Sequence, residues 1–519
     1  MRKSTLWAQP WAMPLATIML MAATVVSRLP FVSKMLYAWD SANFALALNY
    51  YNVAFHQPHP PGYPLYVGIA KLIDIWVQDP NASYVYISIA ASAGAVGALF
   101  LLASRMYDPW AGLASAAVLA ASVGFWGYGE VAYPYTSLAF FGTLVAWLCY
   151  LMWQDHRSVA ILSGLVLGIA GGVREDTLLF LGPLWLISVW RTGILRLILS
   201  GLVMLMVVAA WFIPTVQLSG GWAVYQRASD AQGSYVLSTY SALFGGLTDL
   251  RRNTETLILF LKQMFGLSLA LTLYFIGRFL TLKALVADRR VAFLLLWFVP
   301  PAVVYTVIHI GDPGYLLSLL PPLCLVTGVG IRDIVYDAQS AMLHLSGRYR
   351  RISWLSALAR DGSAALGLLL VVGLVAWNVD AFTSTPGPVR LVEIRTIDNI
   401  LSRQVAYARS FKPGSVVILA NERLRQFQYY LPQYNVRLLF NEYQLGYREA
   451  RYSYQIPNGV NRVLIMDFGK PPARFPNAAG GKRVLSDDAN GRVTLWQFDV
   501  KPGDTIMYGY DYFAVNGRN

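Results

Sequence analysis

Charge is scarce in this sequence. Only 13% of its 519 residues are Asp, Glu, Lys or Arg, against roughly 25% in soluble proteins. A chain so poor in charge does not cover a water-facing surface, which excludes a large soluble core. A lipid-facing surface needs no such cover. Cysteine is nearly missing: Cys149 and Cys324 both fall inside apolar runs, read as plain core residues, and carry no information on redox compartment. The first apolar run follows Met1-Arg2-Lys3 but no small-residue cleavage site comes after it, so the first span is expected to be its own targeting signal. Internal repeats of the kind common in transporters are absent. Residues 384–519 show no phosphate-cradling glycine loop, no zinc-ligand spacing and no Ser/His/Asp constellation.

What is present in quantity is apolar sequence: 56% hydrophobic residues and a mean hydropathy of +0.46. A span needs about 20 apolar residues. Runs near 11–29, 83–103, 110–127, 134–152, 159–173, 177–190, 197–214, 256–277, 291–309, 314–331 and 363–380 predict a mainly α, polytopic membrane protein with about 11 transmembrane helices. The net charge of +13 does not mark a nucleic-acid surface. The basic residues lie between apolar runs and in the tail, not in one patch with interleaved aromatics. Arg105, Arg157, Arg191, Arg196, Arg289, Arg290, Arg332 and Arg348 fall on one set of loops. By the positive-inside rule those loops and the N-terminus are cytoplasmic, and the C-terminus is extracytoplasmic. An inner (plasma) membrane location follows, with membrane lipids as constant partners.

Two outer loops are long. In the first, 30–82, residues 41–55 read as a short helix with Phe44, Leu48 and Tyr51 on one side. Pro58-His59-Pro60-Pro61-Gly62 breaks the chain, and 63–77 reads as a second short helix, both lying in the interface plane. The second, 215–255, carries Gly220-Gly221-Trp222 and reads as a mobile lid or a connector. Domain organisation is therefore 1–383 as a membrane module and 384–519 as a small α/β domain. Strands are expected at 416–420, 436–440, 463–467 and 493–498, and helices at 391–410 and 422–430. Accessory binding and a structural cap are both open for this domain.

Ionisable groups at membrane depth are costly. On the expected outer side they are Asp40, His56, His59, Glu130, Arg174, Glu175, Asp176, His309 and Asp312. They come from distant parts of the chain to one depth, which points to a cavity opening outward. Asp40, beside Trp39, suits proton removal from a hydroxyl or capping of the helix that follows. Glu130, in a short turn, suits orientation of the acceptor or base, or is a solvated carboxylate. Arg174 follows Gly171-Gly172 and suits a phosphate clamp or a local ion pair with Glu175 or Asp176. His309 and Asp312 read first as interface anchors.

Trp39-Asp40-Ser41, followed by His59-Pro60-Pro61-Gly62-Tyr63-Pro64-Leu65, resembles the first outer loop of GT-C glycosyltransferases. It is nearest the protein O-mannosyltransferase-like group and related bacterial transferases. The likeness covers roughly residues 1–335 and extends to the architecture: a long first loop, an acidic second outer turn, a glycine-rich approach to an arginine and an outward C-terminal domain. It implies transfer of a sugar from a polyprenyl-phosphate donor to a hydroxyl of an acceptor protein, lipid or glycan on the outer side, typically with inversion. It implies Asp40 as catalytic base, Glu130 as the second-loop acid, and Arg174 with His59 at the donor phosphate. Some relatives carry Asp-Glu where this chain has Asp40-Ser41, and the Trp-Trp-Asp motif of metal-dependent oligosaccharyltransferases is missing, so no metal and no other cofactor is expected. The competing classes are a lipid-linked sugar transporter or flippase and a non-catalytic polysaccharide-assembly protein.

Overall fold

Asp79 and Asp108 each stand one residue before a proline, the arrangement in which a carboxylate caps a helix and a proline opens it. Asp79 accepts from the Ala82 N–H at 3.2 Å and starts helix Pro80–Met106. Asp108 accepts from the Trp110 and Ala111 N–H groups at 3.0 and 3.1 Å and starts helix Pro109–Ala121. The computed structural model describes residues 7, 9–281, 288–348, 354–439, 453–466, 480–487, 491–507 and 509–510.

Among the described residues, six helices are long and apolar enough to cross a membrane: Ala12–Phe31, Pro80–Met106, Tyr135–Trp153, Ile194–Leu218, Arg289–Val307 and Gly362–Ser384. The pair Ala242–Phe265 and Leu267–Gly277, bent by 115°, makes a seventh if it is one broken span. Pro109–Ala121, Arg157–Val173 and Asp176–Trp190 are apolar but shorter. The expected spans 110–127, 159–173 and 177–190 fall on these short helices. The span expected at 314–331 falls on a 3-10 turn, Pro313–Ser318, and the start of helix Leu320–Arg348. The protein is thus a mainly helical, multi-pass membrane protein; among the described residues six or seven of the expected spans have the length and composition to cross.

Burial separates the central helices from the lipid-facing ones. The apolar windows of Pro80–Met106 and Tyr135–Trp153 are 72% and 67% buried, that of Ile194–Leu218 only 11%. Close approach needs small residues. A Cβ on Gly164 would lie 2.3 Å from the Ser200 carbonyl, and one on Gly328 would lie 2.2 Å from Ser115 Oγ.

The long loop of residues 30–82 folds between these helices and the C-terminal domain. Helix Trp39–Asn49 is buried without interruption from Ser41 to Leu48. It is therefore packed within the protein rather than resting an apolar face on lipid. Only helix Pro64–Val77 keeps an exposed apolar face, with Leu72, Ile75 and Trp76.

Residues beyond 390 form a helix, Leu391–Arg409, a short helix, Leu424–Tyr430, and strands β1 (Val416–Ala420), β2 (Asn435–Leu439), β3 (Ser453–Gln455), β4 (Arg462–Met466), β5 (Lys482–Ser486), β6 (Val493–Asp499), β7 (Thr505–Met507) and β8 (Gly509–Tyr510). The main sheet runs β5-β6-β4-β1-β2-β8, with β1 parallel to β2 and β4 and the other pairs antiparallel; β3 and β7 form a separate ribbon. The ends of the expected strands at 440 and 467 lie outside the described residues. The domain is bonded to the segment that leads into helix Trp39–Asn49. Asp398 accepts from the Lys34 and Met35 N–H groups, the Tyr430 hydroxyl from the Leu36 N–H, and Arg395 donates to the Val32 carbonyl, all at 2.8–3.1 Å.

Candidate active site

One cavity of about 420 Å³ collects most of the ionisable groups picked from the sequence. Asp40, His56, His59, Arg174, Glu175, Asp176 and His309 all line it, with Trp39, Asn43, Tyr63, Tyr315, Gln232 and Val236.

Asp40 is in the first turn of its helix, not at the cap, a position occupied by Ala38. The helix dipole favours a carboxylate there. Its Oδ1 lies 3.4 Å from His59 Nδ1 and accepts from Asn43 Nδ2 at 3.4 Å, and 34% of its side chain remains accessible. His59 Nε2 is 3.0 Å from the Tyr63 hydroxyl. Burial lowers the His59 pKa; Asp40 opposes this and Arg174 adds to it. Burial also pushes His56 down to about 4, helped by His59 and Arg425. Both rings are neutral near pH 7, so neither is a strong anion clamp. His59 Nε2 is bonded to Tyr63, while its Nδ1, 3.4 Å from Asp40, has no hydrogen-bond partner among the described residues.

Arg174 ends the glycine-rich helix Ala160–Val173 and is 6% exposed. Its Nε donates to both oxygens of Asp176, and its guanidinium lies 4.8 Å from the ring centroids of Tyr135 and of Tyr315. Burial opposes its charge, but Asp176 more than offsets this and holds the pKa well above the ordinary arginine value. Its Nη groups have no protein hydrogen-bond partner among the described residues. The local ion pair and the open clamp therefore coexist, one on each edge of the same planar group. Glu175 does not share that pair. Burial, followed by Asp176, pushes its pKa up to about 7.

Glu130 is elsewhere. It is fully buried and does not line the cavity. Among the described residues neither carboxylate oxygen has a partner within hydrogen-bond geometry, the Trp126 indole being its nearest donor in effect. Burial raises its pKa against the opposing charge of Arg28. The turn is covered on all sides, so it is neither solvated nor in contact with a substrate in the cavity. Asp312 is also off the lining. It accepts from the Gly314 N–H at 2.7 Å and from the Tyr128 hydroxyl, capping the turn Pro313–Ser318. His309 lines the cavity with its ring 4.7 Å from that of Tyr240. Among the described residues no three His, Cys, Asp or Glu side chains gather as metal ligands.

The sequence reading missed the neutral part of the site. Asn43 was legible only as a polar residue one turn after Asp40. Tyr135 and Tyr315 carried no signal, being two of 31 tyrosines. Gln232 and Val236 were hidden in a loop that proves to be helical, Trp222–Tyr240.

Residues 40–194 match the family described as the protein O-mannosyl-transferase TMEM260 N-terminal domain. That stretch begins on Asp40 and includes His59 and Arg174. The whole chain is similar in structure to ArnT from Cupriavidus metallidurans bound to undecaprenyl phosphate, with TM-score 0.58 and 11% identity over 95% of this chain and 98% of that one. This chain has a GT-C-like fold. The apo state of the same ArnT is matched with TM-score 0.55 and 11% identity over 98% and 100% of the two chains. An archaeal oligosaccharyltransferase, that of Archaeoglobus fulgidus in its apo form, is matched with TM-score 0.49 and 12% identity over 89% and 70%. No curated protein matches the sequence. The cavity lies between the loop of residues 30–82, the glycine-rich approach to Arg174 and the helix Trp222–Tyr240.

Proposed function

We propose that this protein is a membrane glycosyltransferase that moves a sugar from a polyprenyl-phosphate sugar to an acceptor hydroxyl at the outer face of an inner (plasma) membrane. The observation that carries the reading is the pairing, in one cavity, of a partly open carboxylate, Asp40, with a buried cation, Arg174, whose outer nitrogens have no hydrogen-bond partner among the described residues. The donor phosphate meets the free edge of Arg174. Asp40 takes the proton of the acceptor hydroxyl as its oxygen attacks the anomeric carbon. The bond from that carbon to the phosphate oxygen breaks through an oxocarbenium-like state, and the charge gathering on the lipid phosphate is met by a fixed cation in a dry site. Attack from the side opposite the phosphate inverts the anomeric centre. Glu130, off the cavity, has no part in these steps.

The test is incubation of the purified protein with radiolabelled polyprenyl-phosphate hexoses and membranes. Transfer of label to protein, lipid or glycan is the expected result. Label that binds but stays on the polyprenyl carrier for every hexose tried rejects the reading. Label that crosses a vesicle membrane still attached to its carrier favours a flippase instead.

A further inference from the structure

The C-terminal domain contacts two residues that line the cavity, Asn43 and His56, through Arg425. Arg425, in helix Leu424–Tyr430, is completely buried. Its Nε donates to Asn43 Oδ1 at 2.7 Å, its Nη1 to Gln428 Oε1 at 2.8 Å, and its Nη2 to the Phe55 and His56 carbonyls at 3.2 and 3.1 Å. Asn43 is also completely buried. It stands three residues after Asp40, on the same face of helix Trp39–Asn49, and its Nδ2 donates to Asp40 Oδ1.

These contacts set an orientation. An amide side chain has one acceptor end and one donor end. A guanidinium only donates, so it binds the oxygen of Asn43 and turns the NH₂ toward the carboxylate. Without Arg425 the amide is free to flip, presenting an oxygen to Asp40 and repelling it. We propose that Arg425 of the C-terminal domain is a positioning residue for Asp40, acting through the Asn43 amide. The inference rests on the reading of Asp40 as the base. It also gives the domain a part in the chemistry beyond covering the loop: Arg425 contacts no reacting atom, but the carboxylate holds its attack geometry only while the domain is docked.

The test is a double-mutant cycle on the full-length protein, with kcat and donor-lipid Kd measured for Asn43→Ala, Arg425→Gln, the double variant and, alongside, Asp40→Asn. Each single variant is expected to lose about 10- to 100-fold in kcat, the scale of a small misplacement of a catalytic group, with donor Kd unchanged. The double variant is expected to lose no more than the worse single one. Multiplying losses, or a donor Kd that weakens together with kcat, show Arg425 to be a staple of the fold and overturn the proposal. If Arg425→Gln does not fold, Arg425→Lys replaces it, and Asn43→Ala still decides. Alanine suits that helix, and Arg425 keeps its three other acceptors there. An unchanged kcat in Asn43→Ala overturns the proposal. Should Asp40→Asn be inactive while both single variants are normal, this inference fails alone. Should Asp40→Asn be active, the base reading fails and this inference falls with it.

Discussion

Arg174 and Asp176 meet along one edge of the guanidinium: Nε donates to both carboxylate oxygens, at 3.0 and 2.8 Å. The pair anchors the arginine without using its outer nitrogens, and the faces of Tyr135 and Tyr315 keep the plane from rotating. Removing the cation and removing its anchor are therefore different experiments. Arg174→Ala is expected to weaken donor binding and to cut turnover by about 100-fold. Arg174→Lys should recover part of this, since a point charge does not reproduce a two-pronged contact. Asp176→Asn should cost less, about fivefold in donor affinity, the equivalent of ~1 kcal/mol for one weakened hydrogen bond. Donor binding and transfer rate measured for the three variants check this. Normal donor affinity in Arg174→Ala would remove the clamp.

Glu175 lines the same cavity, and burial pushes its pKa up to about 7, with Asp176 adding to the rise and Arg174 opposing it. Its neutral form leaves a donor phosphodiester undisturbed, and its charged form repels it. The diester keeps one negative charge throughout, so any pH dependence belongs to the protein. Donor affinity should fall as pH rises through about 7, and Glu175→Gln should flatten that dependence. The measurement is donor-lipid Kd at several pH values for both proteins. A flat wild-type profile, or a slope that survives in the glutamine variant, would show that Glu175 does not face the phosphate.

Orientation is testable with one thiol. Ser410 follows helix Leu391–Arg409 and is exposed, whereas Cys149 and Cys324 are fully buried and need not be replaced. With the C-terminal domain outside, Ser410→Cys should react with an impermeant maleimide on intact cells, and the wild type should stay unlabelled. Labelling of Ser410→Cys only after lysis would place the cavity on the cytoplasmic side.

Most of the architecture was legible because lipid imposes simple rules. Apolar runs and the charge of their loops marked the helices, and rising charge after residue 384 marked the α/β domain. The crossing count was not, because several apolar helices are too short to span on length alone, as with Asp176–Trp190. For the cavity, ionisable groups at one depth were a sound guide to Asp40, His59 and Arg174. The same rule does not separate a group facing a cavity from one sealed beside it. Glu130 looked like a turn carboxylate because its turn is short and polar, but the fold closes over it. The helix of residues 39–49 looked interfacial because it is amphipathic on paper, yet protein covers it: Ser41 donates to the Ala132 carbonyl and Asn43 meets Arg425 of the C-terminal domain. Contacts such as that of Arg425 with Asn43 join residues 382 positions apart, and no local pattern announces them.

Helix Trp222–Tyr240 places Gln232 and Val236 on the cavity and hangs from Gly220 and Gly221, with φ of +90° and +89°. Gly221, with ψ of 175°, is in a region open essentially to glycine alone. We expect this helix to close over bound donor, with its amide hydrogen exchange slowing when donor lipid is added. Gly221→Ala should destabilise the protein by about 1–3 kcal/mol and reduce that donor-dependent protection. Exchange in residues 222–240 that is the same with and without saturating donor would make the helix a fixed wall.

Asp40 and Glu130 offer the sharpest contrast. Asp40→Asn preserves shape and the contact with Asn43 but has no proton-accepting carboxylate. Proton removal matters only in the transition state, so turnover should collapse by about 100-fold or more while donor Kd stays near wild type. Because Ala38, not Asp40, occupies the cap position, the loss should come with only the small dipole contribution to helix stability removed, about 0.3–1 kcal/mol, and detergent-stable elution should be normal. Glu130→Gln removes a buried carboxyl that lacks a hydrogen-bond partner among the described residues and lies off the cavity. Its turnover should remain within about twofold of wild type. Transfer rate and donor binding measured side by side for the two variants separate the roles. A fully active Asp40→Asn would remove Asp40 as the base. An inactive but folded Glu130→Gln would return the second-loop acid to the mechanism and require the cavity to extend to it when substrate is bound.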